Sequence, residues 1–101
     1  MNELNRRINL EEVLPIFETS VTALEDTLPQ FIKTQKMLSS HPEYKDEFEE
    51  ALLFRCNEAR EQLNFIRSAC HQYPGNARLD SLRARHAASL EQLEKMYEML
   101  E

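Results

Sequence analysis

Apolar residues in the first third of the chain recur at alternating steps of four and three positions. This spacing predicts a stripe on a helix that packs against other helices. Pro15 and Pro29 interrupt the run, but the stripe keeps its phase across both. We therefore expect one helix over about residues 10–39, kinked near Pro29, with Pro15 at a kink or near a delayed start. The stripe consists of Leu10, Leu14, Phe17, Val21, Leu24, Leu28, Phe31, Gln35 and Leu38.

The segment at 39–43 predicts the end of this helix and the start of a second one over about 42–72. Ser40 and Glu43 have the spacing of a capping box, and Pro42 is tolerated in a first turn because its missing N–H would be unpaired there. Leu53, Phe54 and Phe65 lie beside the core stripe and widen it, which predicts a central helix that contacts both neighbours. That stripe consists of Phe48, Leu52, Cys56, Ala59, Leu63, Ile66, Cys70 and Tyr73.

The residues at 73–76, Tyr-Pro-Gly-Asn, give the strongest turn signal in the chain. Gly75 adopts positive φ easily, and Asn76 can cap a third helix over about 77–100. Arginines near the start of this helix oppose its macrodipole, so we expect Glu58, Glu61 or a binding partner to compensate them. The core stripe consists of Leu79, Leu82, His86, Leu90, Leu93, Met96 or Tyr97, and Leu100.

These elements predict an all-α fold, a three-helix antiparallel up-down-up bundle with a proline-kinked first helix. A single glycine, four prolines and 30% charged residues fit helices better than hairpins, and 101 residues suit one domain over 1–101.

The formal net charge of −6 argues against nucleic-acid and anionic-membrane surfaces and indicates that any partner selected by charge is basic. The amino terminus lacks the apolar run of a secretory signal, and every apolar segment is too short to span a membrane. Cys56 and Cys70 lie too far apart on one helix to form a disulfide with each other, as expected for reduced core thiols. We expect a cytoplasmic protein.

No residue pattern in the sequence indicates catalysis, so we expect a protein that is not an enzyme and has no metal or cofactor. Cys70 and His71 are adjacent, and no second pair has metal-ligand spacing. The only glycine, Gly75, cannot form a glycine-rich phosphate loop. Glu47 and Glu50 share a helical face, but their uniformly solvated surroundings would not separate their pKa values as acid–base chemistry requires.

An acidic cluster at the start of the second helix is the best candidate for partner binding. Five acidic residues lie at 43–50 with one lysine, Lys45. Helix-dipole compensation fades after the first turn, which leaves Glu47 and Glu50 available for a basic partner. Tyr44 would be a neighbouring aromatic anchor, although a solvated surface remains the alternative for the whole cluster.

Residues 41–69 resemble the small helical immunity proteins that neutralise type VI secretion effectors with NAD(P)+ glycohydrolase activity. The resemblance rests on His-Pro-Glu-Tyr at 41–44 and on Glu-Gln-Leu-Asn-Phe-Ile-Arg-Ser-Ala at 61–69. It implies a bacterial, acidic, cytoplasmic antitoxin that occludes the substrate cleft of a toxin, and it assigns no toxin-contacting residue in this chain.

An export chaperone of a secretion system or flagellum is the alternative function. A chaperone should leave Phe31, Ile32, Leu53 or Phe54 exposed in a patch or covered in a homodimer, whereas an immunity protein should close its core and present charge. A helical coiled-coil adaptor is a third interpretation, which the two prolines of the first helix disfavour.

Overall fold

The computed structural model describes residues 7–100, which form three α-helices and one short 3₁₀ turn and contain no strand. Helix α1 spans Leu10–Met37, α2 spans Lys45–Gln72, and α3 spans Ala77–Met99. The prediction of an all-α three-helix fold is confirmed. The prediction of one domain over 1–101 also includes residues 1–6 and 101, which lie outside the described residues.

Helix α1 begins at Leu10 and continues through both prolines. The side chain of Asn9 caps it, with Oδ1 accepting a hydrogen bond from the amide of Glu11 at 3.0 Å. Both Pro15 and Pro29 lie inside the helix, so the alternative of a delayed start near Pro15 is wrong. The N-cap and the continuous apolar stripe are enough to keep the chain helical, although each proline lacks an N–H donor.

The start of α2 differs from the predicted capping box. Pro42–Tyr44 form a 3₁₀ turn preceded by His41, and no side chain caps either this turn or α2. Instead, the amide of Tyr44 donates to the carbonyl of His41 at 3.2 Å. Helix α2 therefore begins three residues later than predicted, because a tight 3₁₀ turn satisfies the orphan amides in place of Ser40 and Glu43.

The turn between α2 and α3 follows the prediction. Gly75 has a φ of 80°, which a residue without a Cβ adopts without strain. Asn76 is the N-cap of α3, and its Oδ1 accepts from the amide of Leu79 at 3.0 Å. The sequence signal was reliable here because both positions need a particular residue type.

A short segment before α1 is bound to the end of α2, which the sequence analysis did not predict. The amide of Ile8 donates to Gln72 Oε1 at 2.6 Å, and the hydroxyl of Tyr73 donates to the carbonyl of Ile8, also at 2.6 Å. The guanidinium of Arg7 lies 4.5 Å from the centre of the Tyr73 ring, a cation–π contact. These contacts hold the entry to α1 against the exit from α2.

The buried residues follow the three predicted stripes. Two clusters form the core. The first contains Leu24, Leu28, Phe48, Leu52, Cys56, Ala59, Leu63, Leu90, Leu93 and Met96. The second contains Phe17, Val21, Ile66, Ala69, Cys70, Leu79 and Leu82. Other stripe members, including Leu10, Leu14, Phe31 and Tyr73, are half-buried at the edges of these clusters.

The expected widening of the α2 stripe is wrong, because the side chains of Leu53, Phe54 and Phe65 remain 41%, 69% and 50% exposed. Helix α3 packs more extensively against each of the other two helices than they pack against each other. The central helix is therefore α3 and not α2.

Two arginines of α3 pair with glutamates of α1, a third, Arg83, lies 3.7 Å from Asp80 of α3 itself, and none pairs with Glu58 or Glu61. Arg78 pairs with Glu18, and Arg85 forms a two-pronged pair with Glu25 through N···O distances of 2.6 and 3.0 Å. The Arg85 side chain lowers the pKa of the Glu25 carboxyl below its ordinary value. Such exposed pairs add little stability, so they mainly compensate the charges that α3 places at its own positive end.

The core assignment predicts the effect of truncating Leu63, whose side chain is 3% exposed within the first cluster. Leu63→Ala should lower the free energy of unfolding by about 2–5 kcal/mol, through lost burial and the remaining cavity. Urea unfolding measures this change. Leu53→Ala makes the same change at an exposed position and should cost much less, whereas equal losses in the two variants would contradict the assignment.

Candidate partner-binding surface

Tyr44 and Glu47 lie together at a groove between α1 and the start of α2. The groove has a volume of about 410 Å³ and opens to solvent. We call it the α1–α2 groove. Thr27, Gln30, Phe31 and Thr34 of α1 line one wall, and Tyr44, Glu47, Phe48 and Ala51 of the 3₁₀ turn and α2 line the other. Two of the three residues that the sequence singled out thus share one surface.

Glu50 lies on a different surface. It borders a shallow depression lined by Asp46, Glu49, Leu53 and Tyr97 on the side of α2 that faces α3. Two side chains three residues apart on a helix differ in direction by about 60°. This difference is enough to separate Glu50 from the groove that Glu47 lines. The helix start at Lys45 also puts Glu47 inside the first turn of α2, so part of its charge complements the dipole.

The acidic cluster has almost no internal compensation. Within residues 7–100, no basic side chain forms an ion pair with Asp46, Glu47, Glu49 or Glu50. Several glutamates elsewhere are paired, as Glu94 is with Arg60 at 2.7 Å. The start of α2 therefore concentrates unneutralised negative charge beside an aromatic side chain, Tyr44, that is 54% exposed.

The α1 wall of the groove carries no charge, and its hydroxyl groups already have partners. Thr27 Oγ1 donates to the carbonyl of Ala23 at 2.8 Å, and Thr34 Oγ1 donates to the carbonyl of Gln30 at 3.0 Å. Because each donor is satisfied by its own helix, a molecule that covers these threonines leaves no hydroxyl donor unpaired.

Phe54 and Phe65 are exposed further along α2, although the sequence pattern predicted that both widen the buried stripe. From Phe48 they are displaced by about 120° and 100° around the helix, on the flank that also carries Ala51. The ring of Phe65 contacts the ring of Phe17 edge-on at 5.3 Å between centroids. The phase of the stripe was a usable signal, since strict periodicity excludes both phenylalanines from the buried face.

The two thiols are core groups with no reactive geometry. Cys56 and Cys70 are free and buried, as predicted. Burial raises the pKa of both thiols, and Glu94 raises that of Cys56 further. A raised pKa keeps the thiol protonated and poorly nucleophilic at neutral pH. Between residues 7 and 100, no three His, Cys, Asp or Glu side chains are placed to hold a metal ion together.

His86 is the one buried side chain in the described part of the chain whose protonation the fold opposes. It is 0% exposed, its Nε2 lies 3.1 Å from the carbonyl oxygen of Ala59, and its Nδ1 has no partner. Burial lowers its pKa below the ordinary 6.5, and nearby Arg55 adds to this, whereas the Ala59 carbonyl and Glu25 act in the opposite direction. His86 is therefore held neutral in the folded state.

No known family, curated protein or solved structure matches this chain. The resemblance of residues 41–69 to immunity proteins thus stays a prediction. Of the helices in residues 7–100, none combines the length and the apolar character that crossing a bilayer requires.

The neutral state of His86 predicts a loss of stability in mild acid. The unfolded chain binds a proton at about pH 6.5 while the folded chain resists it, so the free energy of unfolding should fall as pH drops below that value. One such group changes stability by at most about 1.4 kcal/mol per pH unit. His86→Leu should flatten the curve of unfolding free energy between pH 7 and 5.

His71 provides the matched control, because its side chain is exposed. His71→Leu should keep the slope of the parent protein. An unchanged slope in His86→Leu would show that His86 is not the group that opposes protonation in the folded state.

Proposed function

We propose that this protein binds another protein and has no catalytic activity of its own. The observation that carries the proposal is the set of uncompensated carboxylates at the start of α2, beside an exposed aromatic residue and an open groove. Unpaired surface charge accelerates association with an oppositely charged partner, and aromatic anchors dominate interface energies. The partner proposed is a protein with a basic surface.

An immunity protein, or antitoxin, is the role we propose first. Its mechanism would be steric occlusion of a toxin's substrate cleft, with Glu47 and Glu50 pairing with basic residues at the rim of that cleft and Tyr44 as the anchor. The closed core and the acidic surface support this role, since a steric inhibitor needs a rigid body and complementary charge. The two unpaired thiols support a cytoplasmic location.

An export chaperone is the second candidate, and a specific observation favours it. Leu53 and Phe54 are exposed, and Ile32 on α1 is 36% exposed. These are three of the four residues that a chaperone was expected to leave accessible for an aggregation-prone partner. A homodimer that covers them is a further alternative, which the net charge of −6 opposes through mutual repulsion.

The direction of the helices belongs to the proposal as well. We infer an antiparallel up-down-up bundle from the contacts between helices. Phe17 meets Phe65 and Phe31 meets Phe48, which supports opposite directions for α1 and α2. The pairs Glu18–Arg78 and Glu25–Arg85 share one sequence offset of 60 residues, which supports parallel α1 and α3.

A bend of α1 at Pro29 is also proposed. Proline at this position removes the donor for the carbonyl of Glu25 and crowds that carbonyl, and such a site is where long helices bend.

Co-expression with the products of adjacent genes tests the function. If the protein is an antitoxin, one such product should stop growth when expressed alone, and this chain should restore growth. If it is a chaperone, one product should be insoluble alone, soluble with this chain and harmless to growth. The absence of both effects, together with no complex on size exclusion, would contradict the proposal.

The role of the acidic cluster is tested with the partner so identified. Glu47→Lys with Glu50→Lys should slow association and weaken its salt dependence, because the steering charge is reversed. The melting temperature should change by only a few degrees, since both side chains are exposed. Stopped-flow association rates at several salt concentrations measure the effect.

Glu91→Lys with Glu98→Lys is the matched control, as it changes the net charge equally on the exposed face of α3. If the two double variants slow association equally, only the net charge matters and the start of α2 is not the contact surface.

A further inference from the structure

Beyond the α1–α2 groove, the side chains of Phe54 and Phe65 are exposed along α2 and form a longer strip with it. Both lie on the flank of α2 that carries Ala51, which lines the groove, and the ring of Phe65 contacts Phe17 of α1. From Tyr44 to Phe65 this strip is about 31 Å long at 1.5 Å per residue. An occupant that contacts all of it must be elongated and apolar along one side, as an amphipathic helix of about 20 residues is.

The charges around the strip differ between its two walls. On α2 the strip is bordered by Glu47 and Glu61, which form no ion pair within residues 7–100, and by Arg55 and Glu58, which neutralise each other. On α1 the wall consists of Phe31 and uncharged polar residues whose threonine hydroxyls are satisfied within the helix. The occupant should therefore carry its positive charges along one edge, beside α2, and neutral residues along the other.

A second copy of this chain does not have this chemistry. Two copies joined through the same face would bring their acidic α2 borders together, and Arg55 has no spare charge to offer. A like-charged interface of this kind is unfavourable.

We propose that the α1–α2 groove and its extension to Phe65 are the docking site for an amphipathic helix of the partner protein, with Lys and Arg along one edge of its apolar stripe. The proposal rests on the proposed function, because it names the chemistry of the partner and the surface that binds it. The docked helix would pack beside α1 and α2 as the fourth member of a helical bundle, on the side where these two helices meet and contact each other less than either contacts α3.

A synthetic helical peptide of about 21 residues tests the docking site, with leucine at the a and d heptad positions and lysine along one edge. Isothermal titration should detect binding to the parent protein. A peptide with glutamate in place of each lysine should bind at least about tenfold more weakly, because it meets the acidic border of α2 with like charge. No binding of the lysine peptide, or equal binding of the two peptides, would overturn the proposal.

Ala51→Arg places a long charged side chain in the groove, and Ala88→Arg makes the same change on the exposed face of α3. The first variant should bind the lysine peptide at least about tenfold more weakly, and the second should bind like the parent. Equal affinity in both variants would put the peptide elsewhere and overturn the proposal. Thermal melts check that each variant folds, and Thr34→Arg on the opposite wall replaces Ala51→Arg if that variant unfolds.

Two further outcomes separate this proposal from the others. If sedimentation shows a dimer of the parent protein that Ala51→Arg dissolves, the occupant is a second copy and the proposal is wrong. If Ala51→Arg still rescues growth or solubilises the partner in the co-expression assay, and binds the partner with the affinity of the parent protein, the proposed function stands while the docking site is wrong.

Discussion

The packing of α3 against both other helices is the interaction on which the rest of the structure depends. Both core clusters draw on α3, one through Leu79 and Leu82 and the other through Leu90, Leu93 and Met96. The contact between α1 and α2 is less extensive, although Phe17 meets Phe65 and Phe31 meets Phe48 across it. Each helix alone would expose its apolar stripe to water. The arrangement of the bundle therefore depends on the apolar surface that α3 offers to both neighbours.

The position of the open groove is a consequence of this arrangement. Because α1 and α2 bury most of their apolar side chains against α3, they need less contact with each other. Most of the side chains along their common edge are therefore not required for the core. On α1 these are Phe31 and uncharged polar residues whose threonine hydroxyls are bonded within the helix, whereas the opposite wall combines aromatic rings with Glu47 and Ala51. An exposed aromatic ring beside uncompensated carboxylates would suit a partner that is both apolar and basic.

Much of the fold could be predicted from the sequence because periodicity is a local signal. The heptad phase located Val21, Leu52, Leu63 and Leu93 in the core, and the special backbone at Gly75 had only one suitable residue type. The exposure of Phe54 and Phe65 was missed because hydrophobicity was given more weight than phase. The partners of Arg78 and Arg85 depend on which helices touch, and that information is tertiary. Of the residues predicted for partner binding, Tyr44 and Glu47 line one groove, as their sequence spacing suggests. Glu50 lies on another face, because three further residues rotate its side chain about 60° around the helix.

His86 lies along α3 between Leu82 of one cluster and Leu90 of the other, and this position affects how the helices can align. An apolar stripe of repeating leucines would tolerate sliding by one turn, since each leucine would find a similar pocket. The imidazole distinguishes between alignments, because the observed one brings Nε2 to the carbonyl of Ala59, and an alignment that lost this contact would bury both ring nitrogens without a partner. A single polar group thus selects one register among several of similar apolar burial, as buried asparagines do in coiled coils. The bundle gives up some stability at this layer and gains a unique alignment of α3 with its neighbours.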